Sequence, residues 1–442
     1  MSHWSGFGLN IAKRCCNSKI SIFTPSNLIN MKRLSFILIF ALIVTNSFCQ
    51  IYQFRGPDRD GFFKETGLLD EWPAEGPEQI LEIEGIGKGW SSPVVTDDAI
   101  YITGMIDKQD HLSAVDFDGN IIWQVSYGES WANSFPDTRS SPTIEDDRIY
   151  VLSGQGVLSC INSENGEMIW TVDVDGIYEA EWHSWGVAES ILIVDDKVIC
   201  TPGGSKTSVI ALDKTTGELV WQTEGFGDQR SYVSPTLFEF MGTTHILAAT
   251  ARNLLAIIPE TGEIKWKFNY FNEDKWTYQP GLIWTNTPIH DKDRIWISKG
   301  YDWPGVMLKV DSSGNGVSKA YVDHTFDNHH HGGILIDGFL YGSNWQNNRL
   351  GKWVCMNWDT GEINWIEPWE NKGSIISADG KLFLYEEKGG NVALVNPDPK
   401  GFDLVSSFKI TKGSGPHWAH PYIAHGNLYL RHGDVLMVYE IK

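Results

Sequence analysis

From residue 80 to the C-terminus the chain reads as short apolar or β-branched runs, with polar residues interleaved and Gly, Asp or Asn closing each run. Alternation over such lengths predicts half-buried strands rather than helices. The runs come in sets of four. Ser92-Pro93-Val94-Val95 with Ala99-Ile100-Tyr101 opens one set, and Ser141-Pro142-Thr143-Ile144 with Arg148-Ile149-Tyr150 opens the next. Later in a set, a small residue is followed by a Gly turn and then a Trp. The copies are Ala114, Gly119, Trp123; Cys160, Gly166, Trp170; Ala211, Gly217, Trp221; Ala256, Gly262, Trp266; and Cys355, Gly361, Trp365. Aligning the Pro93 position gives Pro142, Ile191, Pro235, Pro288, Gly333, Ile375 and Pro421, a repeat of about 47 residues.

A four-stranded unit cannot bury both of its faces alone, so neighbours must stack around an axis. The period and strand count therefore predict an all-β fold, an eight-bladed β-propeller of four-stranded blades. Seven blades with an irregular insertion is the alternative. The last unit supplies only three strands, so Ile80–Glu84 is expected to complete it and close the ring between the two chain ends. Each repeat Trp is expected on an outer strand, filling the wedge that widens between blades. Units five and seven keep turn residues at Asp311–Gly314 and Asn396–Pro399 but lack that Trp.

These repeats resemble the tryptophan-docking motif of pyrroloquinoline-quinone-like (PQQ-like) propellers, over about residues 80 to 442. That superfamily includes quinoprotein alcohol dehydrogenases and an outer-membrane assembly lipoprotein. Phe54-Arg55-Gly56-Pro57, Asp60-Gly61, Leu68-Leu69 and Trp72-Pro73 resemble the opening of secreted bacterial polyvinylalcohol-dehydrogenase-like propellers. The resemblance implies the fold; a cofactor does not follow from it. The dehydrogenases clamp the quinone between a Trp and a disulfide of adjacent cysteines, beside a calcium held by acidic and amide side chains. The adjacent pair in this sequence is Cys15-Cys16, ahead of the expected mature chain, so PQQ with calcium is not the favoured cofactor.

The N-terminus changes the compartment. Lys32 and Arg33 precede the apolar run Leu34–Thr45, and Ser47 and Cys49 are small residues before a cut at Gln50. This is the pattern of a secretory signal peptide, too short to span a bilayer. The expected organisation is 1–30 upstream of a true start at Met31, 31–49 signal peptide, 50–79 lead-in segment, and 80–442 propeller. Phe48 argues against a lipid anchor on Cys49. Acids outnumber bases 56 to 35 in the whole chain, and the expected mature chain carries −26 in place of −21. That balance excludes binding nucleic acid through overall charge. A soluble secreted or periplasmic monomer is expected, with Cys160, Cys200 and Cys355 as buried thiols.

Chemistry is expected where the loops entering the innermost strands ring one mouth of the central channel. The positions two and three before the aligned Pro bring Trp90, Arg139, Glu189, Tyr232, His330, His331, Lys372 and Trp418 toward one funnel, with His417 and His420 beside them. Trp90, Tyr232 and Trp418 could stack on a sugar ring or a flat cofactor, with His330, Lys372 and His417 as further ligand contacts. Glu189 and Arg139 could instead pair across blades. His331 and His420 are the general acid–base candidates, with Arg139 and Glu189 beside them. His329 and His331 could share one side of an extended segment and hold a metal ion, although no carboxylate lies at a diagnostic spacing. Trp182-His183-Ser184-Trp185 is a further dense segment. The expected function is binding of a small polar ligand, plausibly a carbohydrate. The alternatives are a quinoprotein-type or His- or metal-assisted sugar-acting enzyme, and an outer-membrane assembly-type protein scaffold.

Overall fold

The computed structural model describes residues 50–181, 184–270 and 284–442. The expected signal peptide, Trp182 and His183 lie outside these residues. Eight sheets, each with four antiparallel blade strands, form an eight-bladed β-propeller, and a separate two-stranded sheet pairs Gly203–Gly204 with Asp228–Gln229. Among the described residues there is one short helix, Val174–Tyr178, and no helix long and apolar enough to cross a membrane.

The repeat Trp residues earn their spacing through register. Ala114, Cys160, Ala211, Ala256 and Cys355 lie directly opposite Trp123, Trp170, Trp221, Trp266 and Trp365 on the neighbouring strand. The small residue leaves room for the indole to lean toward the next blade. There the Nε1–H of Trp123, Trp170, Trp221 and Trp365 donates to the carbonyls of Ser163, Lys214, Pro259 and Asp398, at 2.7–3.2 Å. The ring of Trp221 also covers Gly262 (φ +74°), where a Cβ would stand 2.7 Å from the indole. That contact and the left-handed backbone both require glycine. The unit without a repeat Trp at residue 311 uses Tyr321 in its place. Tyr321 faces Met307, packs on Gly361, and donates its hydroxyl to the carbonyl of Trp358 at 2.8 Å. In the seventh blade, Trp72 of the lead-in packs against Phe383 and Phe408.

Cys160, Cys200 and Cys355 are buried and unpaired. Burial pushes the thiols of Cys160 and Cys355 up to about 11 and about 12. The ring closes as the strand count requires: Glu78–Ile83 pairs antiparallel with Val435–Glu440, so both ends of the propeller share one blade.

The lead-in has a role that local sequence did not reveal. Ile51–Tyr52 adds to the inner edge of the second blade at Thr143–Glu145, and Phe62–Phe63 runs beside the inner strand of the seventh blade. Residues 53–61 therefore cross the channel between them. Innermost strands turn unpaired carbonyls toward the axis, and two buried arginines satisfy them. The Arg59 guanidinium donates to the carbonyls of Ser190 and Pro235 at 2.9 Å, to that of Ile191, and to Gln53 Oε1. Arg55 donates to the carbonyls of Gly333 at 2.9 Å and Ile375 at 3.2 Å. Burial lowers the two guanidiniums to about 10 (Arg55) and about 9 (Arg59), so both remain charged at neutral pH. Gly61 and Gly332 flank Arg55 because a Cβ at either would collide with the guanidinium.

Two stability outcomes follow. Trp221→Ala removes a buried indole and its cross-blade hydrogen bond, and is expected to lower unfolding free energy by about 3–5 kcal/mol. Arg59→Met leaves several buried carbonyls unpaired and is expected to lower it by roughly 3 kcal/mol or more. Guanidinium denaturation of each variant beside the parent chain checks both.

Candidate functional site

Above the lead-in, the mouth of the channel holds a cavity of about 370 Å³. Its wall contains Trp90, Arg139, Ala188, Tyr232, Thr285, His330 and Trp418, each three residues before the aligned Pro position of its blade. Phe54 and His420 also line it. The side chains of these loops alternate. Arg139 and Ser141, Ala188 and Ser190, Tyr232 and Ser234, and Trp418 and His420 face the cavity, whereas Ser140, Glu189, Val233 and Ala419 lie buried behind them. An extended segment sends successive side chains to opposite sides, and this divides the expected site into two layers.

The aromatic residues form a connected rim. Trp90 meets Trp418 edge-to-face at 4.7 Å, Trp418 meets Phe135 at 5.8 Å, and Phe135 reaches Trp185 at 6.3 Å. Trp185 then packs on Tyr232 at 6.0 Å, and the Tyr232 hydroxyl donates to the Trp185 carbonyl. The Arg139 guanidinium sits 4.8 Å over the Trp90 ring and donates to the carbonyls of Asp137 and Phe135. Burial lowers its pKa to about 10, so it stays cationic.

Glu387, which also lines the cavity, gathers four side chains. His331 Nε2 lies 3.0 Å from Glu387 Oε2, Trp418 Nε1 donates to the same oxygen at 3.2 Å, and His330 Nε2 is 3.8 Å away. Lys372 Nζ approaches Oε1 at 3.4 Å and donates to the Asn347 carbonyl at 2.6 Å. Burial lowers the Lys372 amine, while Glu387 acts in the opposite direction.

Several expected assignments change. Glu189 is not at the funnel: its carboxylate accepts from the backbone N–H of Thr201 at 3.0 Å, and burial raises it to about 7. It does not pair with Arg139, whose donors go to backbone carbonyls. His417 lies behind the wall, stacked on His432 at 3.6 Å with Nδ1 2.6 Å from the Tyr385 hydroxyl, so it is not a ligand contact. His420 does line the cavity, but both of its nitrogens are engaged. Nδ1 must accept from Arg55 at 3.1 Å, so Nε2–H donates to the His330 carbonyl at 3.0 Å. That fixed neutral tautomer leaves no proton site for acid–base work and makes His420 part of the floor. His331 is buried and reaches the cavity through Glu387.

His329 and His331 do not form the expected metal pair. Residues 329–331 precede the strand Gly333–Ile336 rather than lying on it, and His329 Nδ1 instead meets His330 Nδ1 at 2.9 Å. The donors that do converge are His330, His331 and Glu387. Burial holds the imidazoles of His329, His330 and His331 well below their ordinary range.

The repeat period points only to the loops entering the innermost strands, and Glu387 is not on one of them. Loops joining second and third strands open there too, and they bring Tyr301, Asn348 and Glu387 to the cavity. The adjacent acids Glu386-Glu387 directly after an apolar strand were the available signal.

With this geometry in place, comparison with known proteins fixes the kinship. A family profile described as outer membrane protein assembly factor BamB matches residues 108–367, more than half of the chain. The chain belongs to this family of PQQ-like propellers. Outer membrane protein assembly factor BamB of Kangiella koreensis is 25% identical over 184 residues, covering 39% of this chain and 43% of that protein. An uncharacterized protein of Rickettsia conorii is 23% identical over 226 residues, 50% of each. The chain thus spans about half the length of the curated relatives it matches.

Among solved structures, BamB from Moraxella catarrhalis superposes with a TM-score of 0.59 at 17% identity, over 83% of this chain and 100% of that one. A europium-containing methanol dehydrogenase gives 0.60 at 12% identity, over 85% and 88%. At these identities the likeness shows the PQQ-like propeller fold alone.

The His417 ring supplies a pH outcome. Burial, with His432 and Lys409 nearby, lowers it to about 3, below an unfolded value near 6.5. The neutral ring's contribution is complete above about pH 6.5 and is lost as pH falls toward 3, because the unfolded chain binds a proton that the folded chain excludes. Denaturation midpoints from pH 7 to pH 4 are expected to fall less steeply in His417→Phe than in the parent; equal slopes would contradict the assignment.

Proposed function

We propose that the chain is an exported PQQ-like propeller whose funnel binds a small polar ligand, with an acidic saccharide as the favoured class. The observation that carries this reading is the rim from Trp90 through Trp418, Phe135 and Trp185 to Tyr232, set over a floor closed by Phe54 and His420. Aromatic faces and edges suit the C–H surfaces of a sugar ring, while polar groups between them fix orientation. Two cations, Arg139 and Lys372, face one cavity carboxylate, Glu387, in a chain whose net charge is −21. The local excess of positive charge favours a ligand carrying a carboxylate. Export rests on the basic and apolar pattern of Lys32–Thr45 followed by small residues.

A quinoprotein reading meets an obstacle in the residues themselves. Cys160, Cys200 and Cys355 are buried in blade strands, and none lines the cavity. Glu387, the carboxylate at its wall, is grouped with two imidazoles, His330 and His331, and nitrogen donors do not suit calcium, which takes oxygen ligands. The cysteine clamp of the resembling dehydrogenases does not fit this lining. The scaffold reading draws on the BamB kinship, and an aromatic pocket is not something a docking platform requires.

Calorimetric titration with uronic-acid oligosaccharides and their neutral counterparts tests the proposal. Saturable binding of the acidic series is expected, weakened at least tenfold, about 1.4 kcal/mol, by Trp418→Ala and by Arg139→Gln. Binding that ignores both substitutions, or dye reduction that depends on added quinone and calcium, would overturn it.

A further inference from the structure

We propose that His330, His331 and Glu387 form a binding site for one divalent transition-metal ion in the wall of the funnel. Their donor atoms lie within 4.8 Å of one another, contributed by the loop before the sixth blade's inner strand and by a loop of the seventh. Two imidazoles and one carboxylate with an open side suit a first-row divalent ion and leave coordination positions for a ligand.

The groups around the triad are arranged as the outer partners of such a site. His329 Nδ1 holds His330 through Nδ1, so His330 Nε2 is left buried, without a hydrogen-bond partner, 3.8 Å from Glu387 Oε2. His331 presents its Nε2 to the same oxygen. Lys372 occupies the other carboxylate oxygen, and Trp418 Nε1 donates to Oε2 from the side. Outer contacts of this kind orient metal ligands and set their basicity. His330, Glu387 and Trp418 all line the cavity, so an ion between the donors would face whatever the funnel holds and could take an anionic oxygen as a further ligand. Lys372 opposes the ion by charge and tunes its affinity downward.

This goes beyond the saccharide reading and stands on the donors alone, so metal uptake and saccharide binding can fail separately. The test is titration of the metal-stripped chain with Co²⁺ and then with Zn²⁺. One equivalent of Co²⁺ is expected to bind with a d–d spectrum that Zn²⁺ displaces. His330→Ala and Glu387→Gln are each expected to weaken Zn²⁺ at least tenfold, and Lys372→Met to tighten it. Near-ultraviolet circular dichroism of the metal-free variants shows whether each retains the parent fold, and Glu387→Gln preserves the side chain's shape. Absence of saturable uptake by the parent chain overturns the proposal, as does affinity within tenfold of the parent in either folded triad variant.

Discussion

Eight wedge-shaped sheets packed around an axis leave a channel lined by strand edges whose carbonyls have no partner in their own sheet. Everything at the functional mouth depends on how those carbonyls are satisfied. Arg59 gathers them from the third and fourth blades and Arg55 from the sixth and seventh, so a crossing segment of the lead-in substitutes for an absent set of strands. Arg55 also sets the tautomer of His420, and His420 in turn holds the carbonyl of His330. The plug and the pocket wall are one hydrogen-bonded structure, in which Arg55 holds His420 in the floor of the cavity.

The outer circumference obeys a different rule. There the gaps between blades widen, and at five of the eight an indole or phenol on the outer strand donates to a carbonyl of the neighbouring turn. Burial at the rim and charge-assisted hydrogen bonding at the axis stabilise the ring from opposite sides. The funnel lies on the axis above the lead-in, lined by loop side chains of the blades.

The rim was legible in the sequence because its rule is periodic: a small residue, a turn glycine and a Trp recur at fixed spacing, and only one register lets all of them pack. The same period located the funnel, and Trp90, Arg139, Tyr232, His330 and Trp418 stand where it placed them. It could not say which of two consecutive residues faces inward, so Glu189 and His331 were grouped with side chains that point the other way. Tyr321 escaped notice because a phenol performs the indole's task without its signature. Arg55, Arg59 and Glu387 escaped because their partners are distant in sequence. The two arginines bind backbone carbonyls, which every residue carries, and Glu387 meets His331 from 56 positions away.

The central claim is that a plugged channel supports one ligand pocket at one mouth. A crystal structure of residues 50–442 soaked with an acidic oligosaccharide tests it most directly. A sugar ring is expected against Trp90 and Trp418, its carboxylate toward Arg139 or Lys372, above an unmoved Phe54 and Arg55. Saccharide bound only on the outer faces of the blades, or a channel whose lead-in segment is displaced from Arg55 and Arg59 contacts, would contradict it.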